Sequence, residues 1–249
     1  HRPGAVQSEI RIGHRGLPRR IPDFHAVSVM GAILGGLFNS RLNMNLREQK
    51  GYTYGAGAGF DLRRGAGPFS ARAAVNTDVT VPAIAEFLAE IARMRDENVS
   101  ETELRAARDF LVGVFPLRFE TAGAVVGALA SLVMQELGIE ELIGYRSSIE
   151  AVTIDDVAAA ARAHLLLDSA AIVVVGDADQ FAQALEAAVV GHVEVERDEG
   201  PVVPGPIPTE DEAVGPVDDE EETGPTAGAE DPDLPGTADE PAGATPEAR

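Results

Sequence analysis

The sequence has no cysteine, so disulfides and thiolate chemistry are both excluded, and the redox compartment stays open. It has no apolar run of the roughly 18–20 residues that a membrane-spanning helix needs. No Gly-x-Ser-x-Gly occurs, and no phosphate loop leads from a strand into a helix. Gly55-Ala56-Gly57-Ala58-Gly59 superficially resembles one, but it sits inside a strand pattern, where glycine more often marks a bulge or a close backbone approach. The five histidines are His1, His14, His25, His164 and His192. No two are one helical turn apart, so the paired-histidine spacing of a zinc peptidase is missing in both its direct and inverted forms. His25 and His164 read as surface or packing residues. Of the 20 basic residues 19 are Arg, and they are scattered rather than gathered into a stripe, which argues against nucleic acid as a partner.

The charge is distributed unevenly. The whole chain carries −21, but residues 198–249 hold 16 Asp/Glu and 10 Pro, with no aromatic and a single base, Arg249. Residues 1–197 carry 25 acids and 19 bases. A Pro-rich acidic segment cannot bury enough apolar area to offset its ordering entropy, so 198–249 is expected to be a disordered tail. Residues 1–197 are the right size for one domain with a sizeable core. The opening His1-Arg2-Pro3, without an initiator Met or a signal-like segment, reads as the start of a fragment or processed piece.

Hydrophobic periodicity outlines the elements. Val6–Gly13 alternates as a strand. A helix is expected from Asp23, its N-cap, to about Lys50, with a break near Gly35-Gly36 and Gly51 as the terminating C′ residue. Tyr52–Leu62 and Pro68–Val75 read as two strands joined by a turn at Arg63–Gly67. Helices follow over Val79–Asn98, Ser100–Phe115, Thr121–Leu137, Glu140–Ala151 and Thr153–Leu166. Ser100 and Glu103 form a capping box at the second of these. The continuous apolar run Ala170–Val175 reads as a buried strand, and Asp179–Val190 as a last helix. The layout is α+β, one sheet covered on one face by helices.

The densest constellation is Gly35–Gly55, GGLFNSRLNMNLREQKGYTYG. Arg47 sits in the last helical turn and Tyr54 near the start of the next strand. Two readings stand at this point. The guanidinium and phenol form a fork of donors suited to peptide carbonyls or an oxyanion. Alternatively, Arg47 complements the helix dipole and Tyr54 packs in a half-buried strand.

The run GGLFNSRLNMNLREQKGYTYGA resembles the signature of the C-terminal domain of M16 (pitrilysin/insulinase-like) zinc metallopeptidases. PGAVQSEIRIGHRGLPR resembles the first strand of that domain, and VNTDVTVPAIAEFLAEI, VSETELRAARDFLVGVFPLRFET, IEAVTIDDVAAAARAHL and AIVVVGD resemble its later elements in order, over about residues 1–185. The resemblance implies an α+β M16-like domain with a mostly antiparallel sheet. It implies the non-zinc half of a clamshell, with zinc held by His-x-x-Glu-His on a partner half, fused upstream or separate, and no cofactor on this chain. It implies that Arg47 and Tyr54 bind peptide substrate and polarise the scissile carbonyl, Tyr52 being the rival for the phenol. Alone, the chain is then not expected to be active. The alternative is a non-catalytic M16-like scaffold or binding subunit.

Overall fold

Alternation along Gln7–Arg15 places Ser8, Ile10, Ile12 and His14 on one face of a strand, β1, and all four are buried. The computed structural model describes residues 1–188 and 191–197, within the unit His1–Gly200. The acidic segment 198–249 lies outside the described residues. β1 pairs antiparallel with β3 (Pro68–Asn76) from Gln7↔Asn76 to Arg15↔Pro68. β2 (Ala56–Phe60) adds outside β3, and β4 (Ala171–Val175) adds on the other side of β1. The four-stranded order is β2-β3-β1-β4, antiparallel throughout.

One face of this sheet is packed. Ile10, Ile12, Phe69, Ala71 and Val75 meet α1 (Phe24–Gly31), α2 (Thr80–Asp96) and α7 (Ile154–His164) in a single core. Phe87, Ile84 and Ile91 recur at helical spacing on the buried stripe of α2. The fold is therefore the expected α+β arrangement, a sheet with helices on one face.

α3 (Glu101–Val114) starts at the expected capping box: Glu103 N–H donates to Ser100 Oγ while the Glu103 carboxylate accepts from Ser100 N–H. A second box, Thr153 with Asp156, opens α7. The Glu140–Ala151 helix is split at Gly144 into α5 (Glu140–Ile143) and α6 (Tyr145–Ala151). The last helix, α8, covers Ala178–Ala187. Between them, α4 (Ala122–Met134) has no charged residue, and Leu132 is its one buried residue. Val126, Val133 and Met134 are well exposed. No single helix among the described residues is long and apolar enough to cross a membrane.

Three local expectations need correction. Ala171–Val175 is an edge strand rather than a buried one. Ile172 and Val174 pack on the core, while Val173 and Val175 are about half exposed on the uncovered sheet face. An apolar run alone cannot distinguish a strand covered on both faces from one covered on one. The strand expected at Tyr52–Leu62 begins only at Ala56, so neither Tyr52 nor Tyr54 is in it. Finally, Asp23 stands at the N-cap position of α1 without a capping bond, because its carboxylate pairs with His164 Nε2 at 2.7 Å.

Candidate functional site

The run from Gly35 to Gly55 is not one helix with a kink. α1 passes directly into a wide π-type turn, Ala32–Gly36, and at Leu37 the backbone becomes extended (φ −102°, ψ 157°). Helical structure resumes and is again of π type over Asn43–Gln49. π-helical turns are rare and recur at functional sites, where they offset side chains from the regular helical track. Gly51 ends the segment at φ +66°, the left-handed conformation that glycine adopts without strain, as its C′ role requires. Tyr52 N–H then donates to Leu46 O at 2.8 Å, turning the chain back toward β2.

This turn is held by polar side chains whose role the sequence did not reveal. Asn43 is buried. Its Nδ2 donates to Leu37 O (3.1 Å) and Ser40 Oγ (3.4 Å), and its Oδ1 accepts from Ala56 N–H (2.8 Å). One amide thus ties the break, the second helical segment and the first residue of β2. Asn45 Nδ2 donates to Glu86 (2.8 Å) and Glu90 (2.9 Å) on α2. Lys50 Nζ reaches Glu86 at 2.8 Å, and hydrogen bonds from Lys50 and Asn45 hold the Glu86 carboxyl below its ordinary range. Arg41, also buried, pairs with Glu103. Two asparagines inside a helical pattern were the available signal, since Asn is a poor interior helix residue that favours bonds to nearby backbone.

On this fixed base stand Arg47 and Tyr54. Arg47 lies in the last turn of Asn43–Gln49, its guanidinium stacked 4.3 Å from the Phe38 ring centroid and 3.5 Å from Glu48. Phe38 is itself 69% exposed. Tyr54 is 93% exposed and takes part in no hydrogen bond or ion pair with the described residues. Beside it, Thr53 Oγ1 donates to Ala74 O (2.7 Å) and accepts from Gly55 N–H (3.1 Å), pinning the connection to β3. Tyr52 is half-buried against the core. Arg47 and Tyr54 therefore flank the same turn but are not hydrogen-bonded to each other. Arg41 and Asn43, equally prominent in the motif, hold the structure together.

The histidines remain dispersed. His14 stacks on Phe69 at 4.9 Å, with Nδ1 2.9 Å from Arg15 O and Nε2 accepting from Leu166 N–H. His25 packs between Phe24 and Tyr145, and burial lowers its pKa. One group among the described residues has carboxylates and imidazole close enough for a metal: His1, Asp177 and Asp179. Part of its donor set is engaged by protein. His1 Nδ1 accepts from Ala178 N–H, Asp177 accepts from Gly4 N–H and Gln180 Nε2, and Asp179 pairs with Arg197. The histidines thus do not form the set that the zinc of an M16 peptidase requires.

An α+β domain with an antiparallel sheet backed by helices, presenting an arginine and a tyrosine on a braced turn, is the class that fold and site define. Residues 1–111 match the family model described as the peptidase M16 inactive domain. It is similar to the structure of the peptidase M16 inactive domain from Pseudomonas fluorescens, with 27% identity and a TM-score of 0.65 over 70% of this chain and 41% of that one. The inactive peptidase domain of a candidate zinc protease from Bordetella parapertussis shares the fold at 18% identity and TM-score 0.59, over 70% of this chain and 95% of that one. A chain of Complex III2 from Candida albicans does so at 16% identity and TM-score 0.61, over 72% and 45%. The chain thus spans about two fifths of the length of the Pseudomonas structure. No curated protein matches it in sequence.

Proposed function

We propose that this domain is the non-zinc half of an M16-type zinc endopeptidase, holding the peptide with Arg47 and Tyr54 and polarising the scissile carbonyl. A partner half with His-x-x-Glu-His would supply the metal and its activated water. The observation that carries this reading is the contrast within one turn. Asn43, Asn45, Lys50 and Thr53 are committed to fixing the turn, whereas the Tyr54 hydroxyl bonds to no described residue. A phenol that bonds to no described residue, on a turn tied down by side-chain hydrogen bonds, is available to a ligand. The inactive-domain family and the Bordetella structure, an inactive peptidase domain of a candidate zinc protease, support the division of labour. The uncharged exposed face of α4 supports the need for a partner.

That same face also favours the second reading, a non-catalytic scaffold subunit, because a scaffold needs contact surface and no free phenol. The test is reconstitution with the zinc-bearing half encoded upstream of His1 or in a neighbouring reading frame. Hydrolysis of a quenched fluorescent peptide should require both halves and should fall with Arg47→Ala or Tyr54→Phe while the complex still assembles. An assembled, active complex indifferent to both substitutions would establish the scaffold role instead.

A further inference from the structure

The sheet face opposite the core is uncovered by any described residue, and its centre holds two guanidiniums. Arg11 of β1 and Arg72 of β3 are directly opposed in the antiparallel register, and both are exposed. The neighbouring row pairs Glu9 with Ala74, and Arg11 itself is flanked on the β4 side by Val173. Arg11 Nη2 reaches Glu9 Oε1 at 3.0 Å. Arg72 has neither a hydrogen bond nor an ion pair with any described residue. Like charges directly opposed across a strand pair destabilise a sheet. Here acids outnumber bases 41 to 20 along the chain, yet the one carboxylate bonded to the pair serves only Arg11.

We propose that this open face is a second recognition surface, on which Arg11 and Arg72 together grip an Asp or Glu side chain of a bound peptide. Opposed side chains in a strand pair are about 5 Å apart at Cβ. A carboxylate lowered between them can accept from both guanidiniums, and charge-assisted bonds of this kind are among the stronger ones. Ser70 and Ala74 on the same face are small, so an extended peptide can lie close to the sheet, and Val173 offers an apolar contact beside the charged pair. A nucleic acid fits the pair less well, because a polyanion is repelled by a chain of net charge −21, whereas a single carboxylate meets mainly its local surroundings. Naming a peptide as the occupant rests on the proposed function; the anion grip does not.

The experiment uses the full chain and two fluorescein-labelled nonapeptides, Ala-rich and identical except for a central Glu-Glu or Gln-Gln, read by fluorescence anisotropy. The Glu peptide should bind roughly three- to tenfold tighter at low salt, and the difference should shrink as salt is added. Arg72→Gln, and Arg11→Gln with it, should erase the preference, and Arg72→Lys should restore part of it. Thermal melts should show these exposed variants folded and no less stable. Arg47→Ala should weaken both peptides alike, so a failed Arg47/Tyr54 reading would leave the Glu preference in place. Equal binding of the two peptides, or a preference that survives the double variant, would overturn the proposal. Tighter binding of a labelled oligothymidylate that depends on the same arginines would overturn the peptide assignment.

Discussion

Arg41 and Glu103, 62 residues apart, form a two-pronged ion pair: Nε donates to Oε1 at 2.7 Å and Nη2 to Oε2 at 3.3 Å. The same carboxylate caps α3 by accepting from the Ser100 N–H and hydroxyl. Burial raises the Glu103 pKa, but the bonds from Arg41 and Ser100 outweigh it and bring the group down to about 2. The folded pKa is therefore below the unfolded one. The stabilisation is complete above the unfolded value, near 4.5, and is lost as pH falls toward about 2. Glu103→Gln should cost on the order of 2–3 kcal/mol at neutral pH, allowing for partial exposure, and should flatten the denaturation midpoint between those pH values. Urea unfolding at a series of pH values checks both.

Asn43→Ala would leave the Leu37 carbonyl and the buried Ala56 N–H without their side-chain partner. Losing these bonds should cost roughly 2–4 kcal/mol. The loss should be local before it is global: amide exchange over residues 51–56 should accelerate more than in α2 or β1. Uniform acceleration would mean that Asn43 supports the whole core rather than the turn.

The fold was legible in the sequence to the extent that local pattern controls it. The alternation Ser8, Ile10, Ile12 gave the central strand, and Ser100/Glu103 gave the start of α3. Arg47, Tyr54 and Gly51 could be singled out because glycine, helix end and aromatic residue follow one another in the chain. The partners that brace the turn could not. Asn43 to Ala56, Asn45 to Glu90 and Arg41 to Glu103 are contacts between distant positions, fixed only when the helices pack. The exposure of Val173 and Val175 was equally hidden, because it depends on β4 lying at the sheet edge with one face uncovered. A capping bond at Asp23 was a sound local expectation, overridden by His164 arriving from α7.

Gly35 lies where the first π-type turn crosses β2. A methyl group added there would stand 2.9 Å from Ala58 Cα and closer still to its backbone nitrogen, neither of which can move without shifting the strand. Gly35→Ala should destabilise the domain by about 1–3 kcal/mol or more, by overpacking. Gly59→Ala is the control one strand residue beyond Ala58, where an added Cβ meets nothing within 4 Å. It should be neutral or slightly stabilising, since alanine has less unfolded-state freedom to lose. Paired thermal melts decide; similar losses in both variants would show that β2 tolerates no side chain there for reasons other than contact with Gly35.

The reconstituted complex should separate the roles of Arg47 and Tyr54 kinetically. Tyr54→Phe removes one hydroxyl that bonds to no described residue, so stability should be unchanged and any rate loss should arise with substrate. If the hydroxyl donates to the developing oxyanion, kcat should drop by about 10²–10³ with KM nearly constant, the range typical of one preorganised donor. Arg47→Ala should lower kcat and also raise KM, because a guanidinium on peptide carbonyls binds ground state and transition state alike. It also uncovers Phe38, so Arg47→Lys is the better probe of charge alone: it keeps a cation over the ring but loses the planar fork of donors. Tyr52 is the internal standard. Its ring packs against the core, so Tyr52→Phe preserves that packing and should leave both constants unchanged. A crippled Tyr52→Phe beside an active Tyr54→Phe would move the phenol role to Tyr52, reached from the half-buried side of the turn.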